Sequence, residues 1–396
     1  MMKNELKENI ARSKVIIVAH EFVNEGGVAY ETSLFFLKNK AKEILYIAHP
    51  LLSIKETYNK DSRYQYYKET KLIKTHKAKH FHLPEPLLYV KDFLYTLIWS
   101  RKGCDIFIGL DPLNALAGLV LRELNIVQKV IHYSTDYFPT RFKNKFMNRI
   151  YHIVDKICVR FADETWNVGL MMAKAREKNN GMDRKKFNRQ YTVPTGIWFD
   201  KSKVKAINKI DKRKMIYAGQ LIDYRGIDLA IKTLPAIRNV LPDVHLEIIG
   251  MGAGEQDLKR IVKDMGLDSC VTFFGWISNR KVFEAKLSNG AVGIATFKTE
   301  TLDDKIKNAD PAKIKDYMLC GMPVITTKAL ATHKEIEKEK CGIVIDYDTQ
   351  EFTNAVIKLL GDETVLEEYR KNASKYVKRF DWNLIFSENL KRLMHD

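Results

Sequence analysis

Three residues in the last third of the chain have the types and spacing to hold a phosphorylated ligand. Lys313, Asp316 and Tyr317 fall at i, i+3 and i+4, so a helix through them puts a cation, a carboxylate and a phenol on one face. Asp310 followed by Pro311 reads as the start of that helix, an acidic N-cap with proline at the first helical position. Gly321 fits the residue just past its end. Lys313 then sits in the first turn, where the helix dipole disfavours a cation. A lysine there makes electrostatic sense if it reaches an anion held at the helix start. An ordinary amphipathic helix with a solvated lysine fits the same spacing.

Glycines supply the other candidate anion contacts. Gly250-Met-Gly-Ala-Gly254 follows a strand-like run and precedes a helical one, the setting in which backbone N–H groups approach a phosphate. It has neither the Gly-x-Gly-x-x-Gly spacing of dinucleotide folds nor the Gly-Lys-Ser/Thr of a P-loop, and a tight turn uses glycines in the same way. Gly26-Gly27 stands in a similar position after Val15–Ala19, and Gly219-Gln220-Leu221 opens a loop ending in Arg225-Gly226. His132, Ser134, Thr135 and Asp136 close another strand-like run. Taken singly, Arg225 reads as a surface arginine, His132 as a core histidine and Asp136 as a helix cap.

The elements that must position these groups alternate regularly. Short β-branched runs at 15–19, 44–48, 105–110, 130–133 and 164–168 are separated by helical patterns at 28–40, 87–100 and 113–124. A second series has strands at 215–218, 245–249, 271–274, 291–296 and 341–347, with helices at 227–240, 256–265, 279–287, 350–360, 363–379 and 384–394. Such alternation is that of parallel α/β sheets, whose ligand crevice lies outside the strands' C-terminal ends. Residues 50–80 show no clear period. Asp200–Asp211, lysine-rich and patternless after a Pro/Gly element, reads as the boundary between two domains.

The chain has 396 residues, 45% apolar and 29% charged, as expected of two globular domains in one soluble protein. Met1–Arg12 is charged and Val15–Ala19 is too short for a signal core. No apolar run reaches bilayer length. The cysteines at 104, 158, 270, 320 and 341 share no metal spacing, so reduced thiols in a cytoplasmic protein are expected. Net charge is +17, which points to phosphate-bearing substrates, an anionic membrane surface or nucleic acid. Residues 138–190 hold thirteen Lys/Arg against five Asp/Glu. Within them, Phe142, Phe146, Ile150, Ile153, Val154, Ile157 and Phe161 keep helical spacing beside a basic face. That pattern reads as core with a wet basic side, or as a helix lying on an anionic membrane.

Together these motifs resemble the retaining glycosyltransferases of family 4 (glycosyl transferase group 1), specifically in the second half of the chain. Tyr217-Ala-Gly-Gln-Leu-Ile-Asp-Tyr-Arg-Gly226 is similar to the family's Gly-Arg-Leu-x-x-x-Lys-Gly loop, and Glu247–Gly252 to its strand and glycine turn. Phe274-Gly275-Trp276 resembles its base-contacting segment, and 310–325 its Pro-x-Lys-x-x-Glu-Tyr-Met-x-x-Gly-x-Pro-Val-Ile element. The resemblance implies the GT-B fold: α/β, two Rossmann-like parallel-sheet domains with an interdomain cleft. Residues 1–200 would form the acceptor-side domain and 201–380 the nucleotide-sugar domain. A terminal helix at 381–396 would cross back to the first domain.

The same resemblance assigns roles. Arg225 and Lys313 would neutralise the leaving diphosphate, and Asp316 would bind the ribose. Gly26, Gly27, Gly219, Gln220, Gly250, Phe274, Gly275, Trp276, Asn308 and Tyr317 would complete the donor site. Asp136 and His132 would stand on the acceptor side. Three positions depart from the family: Gln220 replaces an arginine, Asp316 a glutamate, and Asn308 the first glutamate. The implied activity is a retaining hexosyl transfer from a UDP- or GDP-sugar to a lipid-linked or polysaccharide acceptor, without metal or other cofactor. Its expected setting is the cytoplasm, peripherally at the inner membrane face, with no nucleic-acid partner. A nucleotide-sugar epimerase, a catalytically impaired sugar- or membrane-binding homologue, and a basic nucleic-acid-binding protein are the alternatives.

Overall fold

The computed structural model describes residues 2–21, 27–51, 61–79, 83–200, 203–298 and 312–395. The chain divides into two units, Met1–Pro194 with Trp382–Asp396, and Thr195–Asp381.

In the first unit, α1 (Met2–Arg12) leads into β1 (Lys14–Glu21), whose Val15–Ala19 are buried on both faces, as a central parallel strand requires. Then follow α2 (Gly27–Lys38), β2 (Glu43–Pro50), β3 (Arg63–Lys68), β4 (Lys71–Lys77) and α3 (Glu85–Trp99). Next come β5 (Cys104–Leu110), α4 (Pro112–Glu123), β6 (Val127–Ser134), α5 (Lys145–Phe161), β7 (Glu164–Asn167), α6 (Met172–Asn180) and β8 (Gln190–Thr192). The strand order is β4-β3-β2-β1-β5-β6-β7-β8.

Residues 63–77, patternless in the sequence, form an antiparallel hairpin on the edge of this otherwise parallel sheet. Its outer strand β4 is exposed at every position, so no alternation of apolar residues marks it. The apolar stripe expected at 142–161 splits in two. Asn144 caps α5 by accepting from the N–H groups of Phe146 and Met147, which leaves Phe142 outside the helix. Tyr151, Cys158 and Val159 face the core, whereas Phe146, Ile150, Ile153 and Phe161 face outward.

The second unit holds β9 (Lys214–Ala218), the short 3-10 turn Asp223–Arg225, α7 (Ile227–Val240), β10 (His245–Ile249), α8 (Glu255–Asp264), β11 (Val271–Gly275), α9 (Arg280–Leu287) and β12 (Val292–Ala295). It continues with α10 (Ala312–Leu319), β13 (Val324–Thr327), α11 (His333–Lys338), β14 (Gly342–Ile345), α12 (Thr349–Gly361) and α13 (Glu363–Val377). Its strands are all parallel, in the order β11-β10-β9-β12-β13-β14. Strand order therefore reverses between β9 and β12, the position at which open parallel sheets form a ligand crevice.

The last helix, α14 (Trp382–His395), belongs to the first unit. Trp382 stacks on Phe386 at 4.9 Å, Phe386 meets Phe35 of α2, and Arg392 forms two hydrogen bonds to Glu164 at 2.7 and 2.8 Å. Among the described residues no helix is long and apolar enough to cross a membrane.

Candidate functional site

Two loops meet at the C-terminal ends of β9 and β10, beside the strand reversal of the second unit. Leaving β9, Gly219 takes φ +151° and its N–H donates to the carbonyl of Ile249 (2.9 Å). Leaving β10, Gly250 takes φ +143° and its N–H donates to the carbonyl of Gly275 (2.8 Å). A Cβ on Gly250 would lie 1.9 Å from the Gly219 oxygen. The Gly250–Gly254 turn is thus held against the 219–222 loop by its own backbone: Leu221 N–H donates to Met251 O, and Gly254 N–H to Leu221 O. In this structure the conformation of Gly250 serves loop-on-loop packing.

The loop so placed carries Arg225, and the first turn of α10 brings Lys313 toward it. Lys313 Nζ lies 4.4 Å from the centroid of the Tyr217 ring and 4.9 Å from that of Phe297. The Arg225 guanidinium lies 5.3 Å from the same Phe297 centroid. Lys313 Nζ and Arg225 Nε are both buried, and neither has a hydrogen-bond partner among the described residues. Burial, and then the charge of Arg225, hold the Lys313 ammonium well below the usual lysine range. Nearby Lys298 shows the contrast: it pairs with Asp223 and Asp228, which raises it. Two cations that share an aromatic ring and have no described counter-charge leave a place for an anion. Phe297, just past β12, was not singled out in the sequence; its signal is an aromatic residue directly after a strand at the reversal point.

Asp316 and Tyr317 share the helix with Lys313 but not its surroundings. Tyr317 is fully buried: Ala218 N–H donates to its oxygen (2.6 Å), and its hydroxyl donates to Ile294 O (3.1 Å). It bolts α10 to β9 and β12. Asp316 accepts from Arg280 at 2.5 Å, and Arg280 also donates to Glu284. Burial raises the Asp316 carboxyl against the opposing pull of Arg280. Arg280, absent from the sequence reading, therefore already holds the carboxylate expected at the ribose. Gln220 is exposed, and its carbonyl accepts from the Tyr217 hydroxyl (2.7 Å). Phe274 and Trp276 are exposed at the end of β11, with Lys286 Nζ 3.3 Å from the Phe274 ring centroid. Asn308, with the Asp310-Pro311 cap, lies outside the described residues, as does Gly26; Gly27 opens α2 with φ +82°.

At the strand ends of the first unit, Asp136 accepts from Arg141 at 2.5 Å. Burial and the neighbouring Asp111 push its carboxyl up to about 6, against Arg141. His132 is fully buried, 4.0 Å from Asp155, and burial takes its imidazole down to about 3. It lies in the interior beside the Asp155–Arg176 ion pair (2.8 Å). A second polar group sits where β1 and β2 end. Asp92 of α3 accepts from Ser62 (2.7 Å) and lies 3.5 Å from His20, and His49 bonds Ser62 and Thr96. Among the described residues no three His, Cys, Asp or Glu side chains converge as a metal site.

The family described as Glycosyl transferases group 1 matches residues 212–362. Over 153 residues the chain is 26% identical to the GDP-mannose-dependent alpha-(1-6)-phosphatidylinositol monomannoside mannosyltransferase of Mycolicibacterium smegmatis, covering 38% of this chain and 40% of that protein. The curated relatives it matches are spanned for 35% to 44% of their length. Its fold is similar to that of sucrose-phosphate synthase from Thermosynechococcus elongatus, with TM-score 0.68, 15% identity and 97% and 98% of the two chains covered. It is also similar to Anabaena HepE in complex with UDP, with TM-score 0.64, 14% identity and 97% and 100% covered. The chain has the GT-B fold of two α/β units.

Proposed function

We propose that this chain, whose residues 212–362 form a glycosyl transferases group 1 domain, moves a hexose from a nucleotide-diphosphate sugar to an acceptor hydroxyl with retention. The observation that carries the reading is the pair of buried nitrogens Lys313 Nζ and Arg225 Nε, beside one phenylalanine ring and with no hydrogen-bond partner among the described residues. Transfer breaks the bond from the sugar C1 to the diphosphate and forms one from C1 to the acceptor oxygen. Negative charge then develops on the departing diphosphate, where fixed cations in a dry site act most strongly. In a same-side transfer, the leaving phosphate oxygen takes the acceptor's proton.

The GDP-mannose named for one relative and the UDP held by HepE support a nucleotide-diphosphate sugar, UDP or GDP. Lysine and arginine would supply the charge that a metal ion supplies elsewhere, so the proposal includes activity in the presence of chelator. The acceptor is proposed as a lipid-linked or polysaccharide hydroxyl at the inner face of a membrane.

A thermal-shift panel of UDP, GDP, ADP and their sugars tests the donor. A nucleotide at a hundred times its Kd adds about 2.7 kcal/mol of stability. With donor and acceptor present, Lys313→Ala and Arg225→Ala should abolish nucleoside-diphosphate release. Full activity in both variants would overturn the site, and isomerised donor in the absence of acceptor would replace transfer with epimerisation.

A further inference from the structure

In the first sheet, Ile16 of β1 pairs with Leu45 of β2, Leu45 with Tyr66 of β3, and Tyr66 with Lys74 of β4. Paired residues point to the same face, so these four side chains form one row across the sheet. Helix α3 covers that face only as far as Trp99, and the chain then turns through Ser100–Gly103 into β5. Beyond the turn the row is the floor of a cavity of about 290 Å³. The cavity lies where β1 and β5 begin, at Lys14–Ile16 and Cys104. The crevice of a parallel sheet lies at the opposite ends of its strands.

Its lining combines three chemistries. Ile16, Leu45 and Tyr66 make the floor apolar, and Trp99, stacked on Tyr95 at 5.0 Å and met edge-on by Tyr64 at 5.1 Å, gives it a fixed aromatic wall. At the rim Lys74, Arg101 and Lys102 are exposed and have no hydrogen bond or ion pair among the described residues. Cations just past a helix end ordinarily answer its dipole, yet the side chains of Arg101 and Lys102 reach no carbonyl of α3. Glu43 is the cavity's carboxylate. It accepts from the Tyr66 hydroxyl (3.0 Å) and lies 3.5 Å from Lys14 Nζ, which leaves lone pairs for a further donor. Ser100, 1% exposed, also lines the cavity, and its hydroxyl has no hydrogen-bond partner among the described residues.

We infer that this cavity is a second ligand site, for a sugar phosphate of one ring. An aromatic wall over an apolar floor suits the C–H face of a sugar, and Glu43 can accept from its hydroxyls. Three unpaired cations suit the dianionic phosphate, which places that group at the rim, away from Glu43. The volume is at the low end for small-molecule pockets, which fits one ring with its phosphate and not a nucleotide sugar. An uncharged sugar would leave the cations unused, and a bare phosphate would leave the floor unfilled. The inference rests on the first unit alone and is independent of the donor site.

The test is calorimetric titration of the full chain with glucose 6-phosphate, glucose and inorganic phosphate at about 0.15 M salt. Glucose 6-phosphate should bind at least about tenfold more tightly than either of the others. Arg101→Ala and Lys102→Ala should each weaken it about fivefold, the effect of one partly screened cation. Arg101→Glu with Lys102→Glu should abolish it. These side chains are exposed, and an unchanged melting temperature checks that the variants fold. Lys313→Ala should bind glucose 6-phosphate like the parent, which separates this site from the donor assignment. Loss of binding in Lys313→Ala would overturn the inference, as would binding that ignores the Arg101 and Lys102 variants. Phosphate or glucose bound as tightly as glucose 6-phosphate, or no binding at millimolar ligand, would also overturn it.

Discussion

Replacing Lys313 by methionine keeps the stem that lies against Tyr217 and Phe297 and removes only the buried ammonium. In the ligand-free protein that ammonium is desolvated without a described partner, a state that costs about 1–3 kcal/mol for a polar group. Lys313→Met should therefore stabilise the empty protein by about that amount, raising Tm by about 2–4 °C per kcal/mol. It should also lose a charge-assisted contact to diphosphate worth about 1.5–3 kcal/mol, weakening UDP or GDP binding roughly ten- to hundredfold. Protons report the same event. Lys313 titrates well below its ordinary range when the site is empty, and a bound diphosphate should restore it. Binding then takes up a proton in the window between the two values, and affinity falls there by up to about tenfold per pH unit. The unfolded chain holds more protons than the empty native state across that window, so stability rises with pH through it, and this rise should vanish in Lys313→Met. Calorimetric titration in two buffers of different ionisation enthalpy measures the uptake, and thermal melts measure the stability. A variant that is destabilised and binds UDP and GDP like the parent would refute the reasoning.

Gly250→Ala should be costly although it adds one methyl. Its φ of +143° is strained for any L side chain, about 1–3 kcal/mol, and the new Cβ would press on the Gly219 oxygen. Denaturant unfolding should show that loss, and nucleotide affinity should fall because the loop bearing Arg225 must shift; parent-like stability would contradict the close approach. Glu21, at the end of β1, is pushed up to about 7 by burial, with Tyr46 and Arg63 pulling the other way. The native state therefore binds the proton more tightly than the unfolded chain, and stability should fall as pH rises from about 4.5 to 7, by about 3 kcal/mol at most. Glu21→Gln should flatten that decline in unfolding curves taken on either side of the window.

The alternation of β-branched runs with helical patterns carried both sheets, because parallel strands buried on two faces must be apolar throughout. The β3–β4 hairpin escaped because β4 buries nothing and has no alternation to read. Lys313 and Arg225 were legible as cations at a helix start and a loop end. That they share the ring of Phe297 was not, since the three come from separate segments that only the strand reversal brings together. His132 and Tyr317 each have chemically useful atoms, and that each is sealed in the interior by neighbours distant in sequence was not legible. Arg280 stayed hidden because its partner Asp316 lies 36 residues away.

The two units are joined by two crossings of the chain, at Pro194–Thr195 and at Asp381–Trp382. A ribosome delivers the residues of α14 after all of the second unit. Until then the pocket around Phe35 and Trp166 lacks Phe386, and Glu164 lacks Arg392. The first unit, begun before the second, is thus completed after it. A nascent chain carries an unfinished apolar surface for as long as the second unit takes to emerge, a period in which a holding chaperone has something to bind.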